Sequence, residues 1–117
     1  MPKGIILHTD RTYTLKEFKQ HTDYNDAVGG WIEYLGSPSN MLPMSVYLNE
    51  EGRLLDLPLN GLATAICIIA EALYDGDVIV GDVAILGDPD NEGNDTDIRE
   101  NVLELIKRNA TERVTNE

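Results

Sequence analysis

The sequence predicts an α+β domain, a small and mainly antiparallel sheet covered by about three helices. Three observations carry this. Short apolar runs are separated by polar turns at residues 9–10 and 49–52, which is how hairpins read. Two stretches, 62–73 and 98–106, instead repeat apolar residues at helical spacing. Most connections are also too short for the crossovers of a parallel sheet. At 117 residues the chain fits one domain. That domain is placed at 1–110, with 111–117 expected to fray.

The run "GIILH" at 4–8 and the following "RTYTL" read as an N-terminal hairpin. Thr14 and Glu17 have capping-box spacing, which predicts a helix over 15–28 with a thin apolar face of Leu15, Phe18 and Val28. Gly29 or Gly30 ends that helix by taking a left-handed conformation, and the strand 31–35 begins at the only tryptophan, Trp31. The stretch "MSVYLNEEGRLLDLP" predicts a second hairpin, with strands 44–48 and 53–57 around a tight turn and Pro58 as the stop. Asn60 is positioned to cap the next helix, whose stripe is Leu62, Ile66, Ile69 and Leu73, widened by Ala63, Cys67 and Ala70. "DGDVIVGDVAILG" predicts a long central strand, with Gly81 marking a bulge or a close backbone approach. Asp97 with Glu100 is the expected cap of a last helix, which faces the core with Ile98, Val102, Leu105 and Ile106. The order is then β β α β β β α β α, with the helices on one face of the sheet.

Nine basic against 21 acidic residues leave a formal charge of −12, which repels phosphates over most of the surface and argues against direct nucleic-acid binding. The longest apolar run, "LATAICIIAEAL", falls short of the ~20 residues a membrane helix needs. The N-terminus lacks a signal-peptide layout, so a cytoplasmic location is expected. With Cys67 as the only cysteine, no disulfide within the chain is possible, and a buried reduced thiol is expected.

Tests for catalysis fail one after another. In "DPDNEGNDTD" residues Asp88, Asp90, Glu92 and Gly93 match the opening positions of a calcium loop, but Arg99 stands where the bidentate Glu belongs. "HTD" occurs at 8–10 and 21–23, a pattern short enough to arise by chance. Glu50 and Glu51 lie in a turn with nothing to enclose them. No nucleophile elbow, phosphate loop or dinucleotide fingerprint is present, so neither an enzyme nor a cofactor or metal site is expected.

Polar and aromatic residues do gather at element ends: Trp31 and Glu33 after the double glycine, Asn49 at the hairpin turn, Arg53 beyond it, and Asn60 and Thr64 one helical turn apart. A tryptophan stacks on flat ligands, amides read donors and acceptors, and the free N–H groups after Asn60 hold a phosphate. Arg11, Lys16, Lys19 and Arg53 supply the few positive charges. Each residue also has a purely structural use: Trp31 as core filler, Asn49 as turn residue, Asn60 as cap.

Three segments, "AVGGWIEYL" (27–35), "VYLNEEGRLLDLPLNGLATAI" (46–66) and "VIVGDVAILG" (78–87), resemble a family of small phage and bacterial proteins known as the domain of unknown function DUF3846. The resemblance implies a phage or mobile-element origin and carries no mechanism with it. Against that background the expectation is an accessory protein that sequesters a nucleotide immune signal without catalysis. The signal would be a cyclic ADP-ribose isomer or a cyclic dinucleotide, held in pockets between copies of a homo-oligomer. The alternatives are an acidic DNA mimic or an inhibitor that binds a host defence protein. On the first reading, Trp31→Ala with Asn60→Ala abolishes ligand binding and leaves a folded chain.

Overall fold

The computed structural model describes residues 2–74 and 76–113. Strands β1 (Lys3–Leu7), β2 (Thr12–Glu17), β3 (Ile32–Gly36), β4 (Ser45–Asn49), β5 (Val83–Leu86) and β6 (Thr111–Glu112) form one sheet in the order β3-β4-β5-β1-β2-β6. All pairs are antiparallel except β2 with β6. Helices α1 (His21–Val28), α2 (Gly61–Ile69) and α3 (Glu100–Asn109) complete the α+β fold. Among the described residues no helix is long and apolar enough to cross a membrane.

Alternation along the strands divides the sheet into two faces, and both are covered. Ile5, Leu7, Val46, Val83 and Ile85 pack with Leu62, Ile66 and Cys67 of α2 and Val102 and Ile106 of α3. On the opposite face Ala84 and Leu86 pack with Phe18 and with Ala27 and Val28 of α1. The helices therefore do not share one face, as the sequence suggested. The buried dipeptides of β5, apolar on both sides, are the signature of a strand sandwiched between layers.

Several expected boundaries move for identifiable reasons. Thr14 and Glu17 cap no helix: "TYTLKE" alternates, buries Tyr13 and pairs with β1 over five residues, so strand pairing overrides the local capping signal. The helix starts six residues later than predicted, where Asp23 Oδ2 accepts the backbone N–H groups of Lys19 and Gln20 at 2.7 and 3.0 Å. Gly29 closes it in the left-handed conformation at φ 79°, as the double glycine indicated. Residues 53–57 form no strand, because β4 already pairs with β3 on one edge and β5 on the other. They continue a run of turns through 50–56, closed by Leu55 N to Glu51 O and Leu57 N to Gly52 O. The central strand shortens to four residues because Gly81, at φ 79°, breaks it from Val80, which bridges Leu59. Ile69 faces solvent instead of the core. Asp97 accepts the N–H of Lys3, so it staples the start of β1 and leaves α3 uncapped by side chains. Thr111 and Glu112, expected to fray, pair with β2, while residues 114–117 lie outside the described residues.

The backbone hydrogen bonds from Lys19 and then Gln20 hold the Asp23 carboxyl below the usual carboxylate range. A lowered folded value contributes stability above the ordinary value of about 4, and that stability is lost as pH falls through the folded value. Asp23→Asn is therefore expected to lower Tm at neutral pH by an amount that shrinks on acidification. A difference independent of pH would assign the effect to geometry alone.

Candidate functional site

Of the six residues expected to share a pocket, three line one cleft, two are held in internal hydrogen bonds, and Trp31 stands exposed. Glu33, Asn49 and Arg53 line one cleft of about 320 Å³, between the β3–β4 edge, the 50–56 turn and the connection from α2 to β5. Apart from Glu50 and Asp77 the rest of its wall is largely apolar, with Leu35, Leu48, Leu54, Tyr74, Val78 and Val80 among its residues. Asn60 and Thr64 are instead committed to the core.

Asn60 is 1% exposed. Its Nδ2 donates to Leu7 O and Gly81 O, both at 3.0 Å, and its Oδ1 accepts from Ala63 N at 3.1 Å, so the amide is fully used in joining β1, the start of β5 and α2. The Thr64 hydroxyl donates to Asn60 O and accepts from Ile79 N, both at 2.8 Å. Neither side chain has a group left over for a ligand. The cap predicted for Asn60 is real, and the two further donations explain why Asn stands there instead of Asp or Ser.

Asn49 is spent in a similar way. Its Nδ2 donates to Val28 O at 3.2 Å and its Oδ1 accepts from Glu51 N at 2.8 Å, fixing the 50–56 turn against the end of α1. Gly30 permits this approach, since a Cβ there would stand 2.8 Å from Asn49 Nδ2. The double glycine therefore ends a helix at its first residue and admits a neighbouring amide at its second. Trp31 fills no core: it is 64% exposed, beside the cleft, with its carbonyl accepting from Glu50 N.

The electrostatics of the cleft are acidic. Glu33, Glu50 and Asp77 lie along it against the single cation Arg53, which is within 3.7 Å of Asp77 and donates to Val78 O at 3.3 Å. Leu54 and Tyr74 stand 84% and 86% exposed at its rim. Trp31, whose carbonyl is bonded by Glu50 of the same cleft, is likewise a large side chain left exposed. No periodic signal in the sequence announced the two rim residues, because Leu54 lies in the 50–56 turn and Tyr74 in the irregular connection from α2 to β5.

Elsewhere, buried polar side chains pair with one another, except that Asn25 Oδ1 in α1 is buried without a partner among the described residues. His8 is buried, with Nδ1 2.6 Å from Asp82 Oδ2 and Nε2 2.8 Å from Thr14 Oγ1. This Thr, His and Asp relay resembles an activated hydroxyl, but the adjoining cavity opens at Asp82, Thr9 and Asp26 and is not lined by Thr14. It stitches β2, β1 and the start of β5. Asp10 is held by Thr12 and Arg113, so the two "HTD" motifs serve a turn and a helix start. Among the described residues no three His, Cys, Asp or Glu converge as metal ligands would. Burial pushes the Cys67 thiol up to about 12, which keeps it protonated and unreactive.

Fold and site together define a small α+β protein with a two-sided sheet and an acid-rimmed apolar cleft at one end of it. The chain belongs to the DUF3846 family, described as a domain of unknown function, whose profile it matches over residues 2–111. No curated protein and no solved structure matches it.

Proposed function

We propose that this protein acts by binding, without catalysis, and that its working surface is the cleft lined by Glu33, Arg53, Leu54 and Tyr74 together with the neighbouring Trp31. The observation that carries this is the group of exposed large apolar side chains around an acidic rim. Such a surface suits a protein partner that offers an apolar segment flanked by Lys or Arg. A second copy fits less well, because it would set Glu33, Glu50 and Asp77 in the neighbourhood of like charges on a chain of net charge −12. The host-directed, anti-defence role expected of a phage-type accessory protein takes the form here of occupying a defence protein in the cytoplasm.

Nucleotide sequestration is the second reading, favoured by the placement of Arg53 in one cleft with Glu33, while the Asn49 amide there is already held by Val28 O and Glu51 N. It asks the anionic ligand to overcome three carboxylates with one arginine that already has a partner. DNA mimicry would need carboxylates in an extended array.

A library of short displayed peptides panned against the protein tests the first reading, beside calorimetry with cyclic dinucleotides and cyclic ADP-ribose isomers. Selected peptides are expected to combine apolar and basic residues and to lose about tenfold or more in affinity to Leu54→Asp and Tyr74→Ala. Those variants should keep stability within about 0.5 kcal/mol, since both side chains are exposed. Tight nucleotide binding without turnover that survives Leu54→Asp would overturn the protein-binding reading and establish the other.

A further inference from the structure

Away from that cleft, on the α1 face, three tyrosines gather around one carboxylate. Tyr34 and Tyr47 are directly opposite each other in the β3–β4 ladder, with ring centroids 5.5 Å apart. Tyr24 of α1 meets Tyr47 edge to face at 4.8 Å. Asp95 comes from the 88–97 loop folded over them: its Oδ2 accepts the Tyr24 hydroxyl at 2.7 Å, and its carboxylate accepts the Tyr47 hydroxyl at 2.8 and 2.9 Å. A cavity of about 320 Å³ is lined by Tyr34, Tyr47, Pro89, Gly93 and Asp95.

We propose that this cavity is a binding site for a guanidinium group, independent of the cleft on the other side of the sheet. Three features select that chemistry. The two aromatic walls attract a cation through their ring faces, and a planar guanidinium also stacks on them. Two phenolic protons occupy two of the roughly four acceptor positions of an ionised carboxylate, which leaves Asp95 able to accept N–H donors from a ligand. The lining includes no Lys or Arg, so no cation of the chain itself competes for the box.

Tyr34 is the half-exposed wall, which makes it the ligand-facing ring, whereas Tyr24 and Tyr47 position the carboxylate. Burial first, and the Asp95 hydrogen bond second, push both phenols well above the ordinary tyrosine value, so they remain neutral donors to Asp95 at physiological pH. The shared chemistry has two sources, a free alkylguanidine or an arginine side chain on another protein. A site on an open face admits either.

The test is an NMR titration of the whole protein with agmatine and, separately, with an acetylated and amidated Gly-Arg-Gly peptide. The matching citrulline peptide serves as the uncharged control. Saturable shifts of the Tyr34, Tyr47 and Asp95 signals are expected with both cations and not with citrulline. Tyr34→Leu should weaken binding by about fivefold to thirtyfold, Tyr34→Phe should keep it, and Asp95→Asn should weaken it at least as much as Tyr34→Leu. Tighter binding of the peptide assigns the site to an arginine side chain, and tighter binding of agmatine to a free guanidine. Absence of saturable shifts at millimolar cation, equal response to citrulline, or binding unchanged in both Tyr34→Leu and Asp95→Asn would overturn the proposal. Because Tyr34 is half-exposed and Asp95 is replaced by an isostere, one-dimensional spectra of both variants should show a folded chain.

Discussion

Asn60→Ala is expected to destabilise the protein by about 3–5 kcal/mol, because it strands the carbonyls of Leu7 and Gly81 and the N–H of Ala63 inside the core. The site is 1% exposed, so water cannot readily replace the lost amide. Against a total of about 5–15 kcal/mol for an ordinary domain, this is a large fraction. It should appear as a fall in Tm of roughly 10–20 °C. Asn60→Asp separates the two halves of the role. The carboxylate still caps Ala63 N, but it faces two carbonyl oxygens where the amide had donated, so it should be no more stable than the alanine variant. If Asp instead restored most of the wild-type Tm, the cap would be the dominant contribution and the two donations minor. Either way the paired substitution Trp31→Ala with Asn60→Ala is a poor test of ligand binding, since its second half removes a keystone of the fold.

Asn60 also shows what was legible in the sequence and what was not. Its position before an apolar helical stripe announced a cap, since capping is a local interaction over three residues. The donations to Leu7 and Gly81 span 53 and 21 residues, and no local pattern encodes them. The same division runs through the fold. Gly29 ended α1 as read, and β1, β3, β4 and α2 lie close to their predicted places. Thr14 with Glu17 misled because strand pairing with β1 was invisible to a four-residue motif. Residues 53–57 misled because a short apolar run after a turn signal says nothing about whether a strand edge is still free. Of the candidate site, Glu33 and Arg53 were legible as polar residues on adjoining elements, and both line the cleft. The apolar rim of Leu54 and Tyr74 was not, because exposure is a tertiary property.

The tyrosine box was equally hidden, since Tyr24, Tyr34, Tyr47 and Asp95 come from four elements separated in sequence. Tyr34 and Tyr47 face each other only once the register of β3 on β4 is fixed. Asp95 reaches them only because the acidic loop folds back, through the bridge of Gly87 to Thr96. In the sequence that loop read as a failed calcium site. In the structure Asp90 takes the N–H groups of Glu92 and Asn94, and Arg99 binds Asp88 at 2.7 Å, which together give the loop its shape.

Gly87→Ala is the substitution expected to act most selectively on this arrangement. A Cβ at Gly87 would overlap the carbonyl oxygen of Asp97 and the hydroxyl of Thr96. The hydroxyl can rotate away, but the carbonyl belongs to the backbone, so the loop strand 94–97 has to move off β5. Overpacking of this kind costs about 1–3 kcal/mol. The more telling readout is the ionisation of Tyr24 and Tyr47. In the wild type, burial and the Asp95 contact raise both phenols. A raised folded value means the associated stability is fully present below the ordinary phenol value of about 10 and is lost as pH rises through the folded value. The wild type should thus lose stability steeply in strong alkali, with tyrosinate absorbance lagging until unfolding releases the two phenols. In Gly87→Ala the displaced Asp95 no longer holds them, so part of that absorbance should appear at lower pH, before unfolding, and the alkaline loss of Tm should be shallower. An alkaline titration identical to that of the wild type would mean that the backbone shift is absorbed between Gly87 and Asp97 without moving Asp95. The loop would then be a tolerant tether, and its grip on the tyrosines would rest on the three hydroxyl-to-carboxylate contacts rather than on the close approach at Gly87.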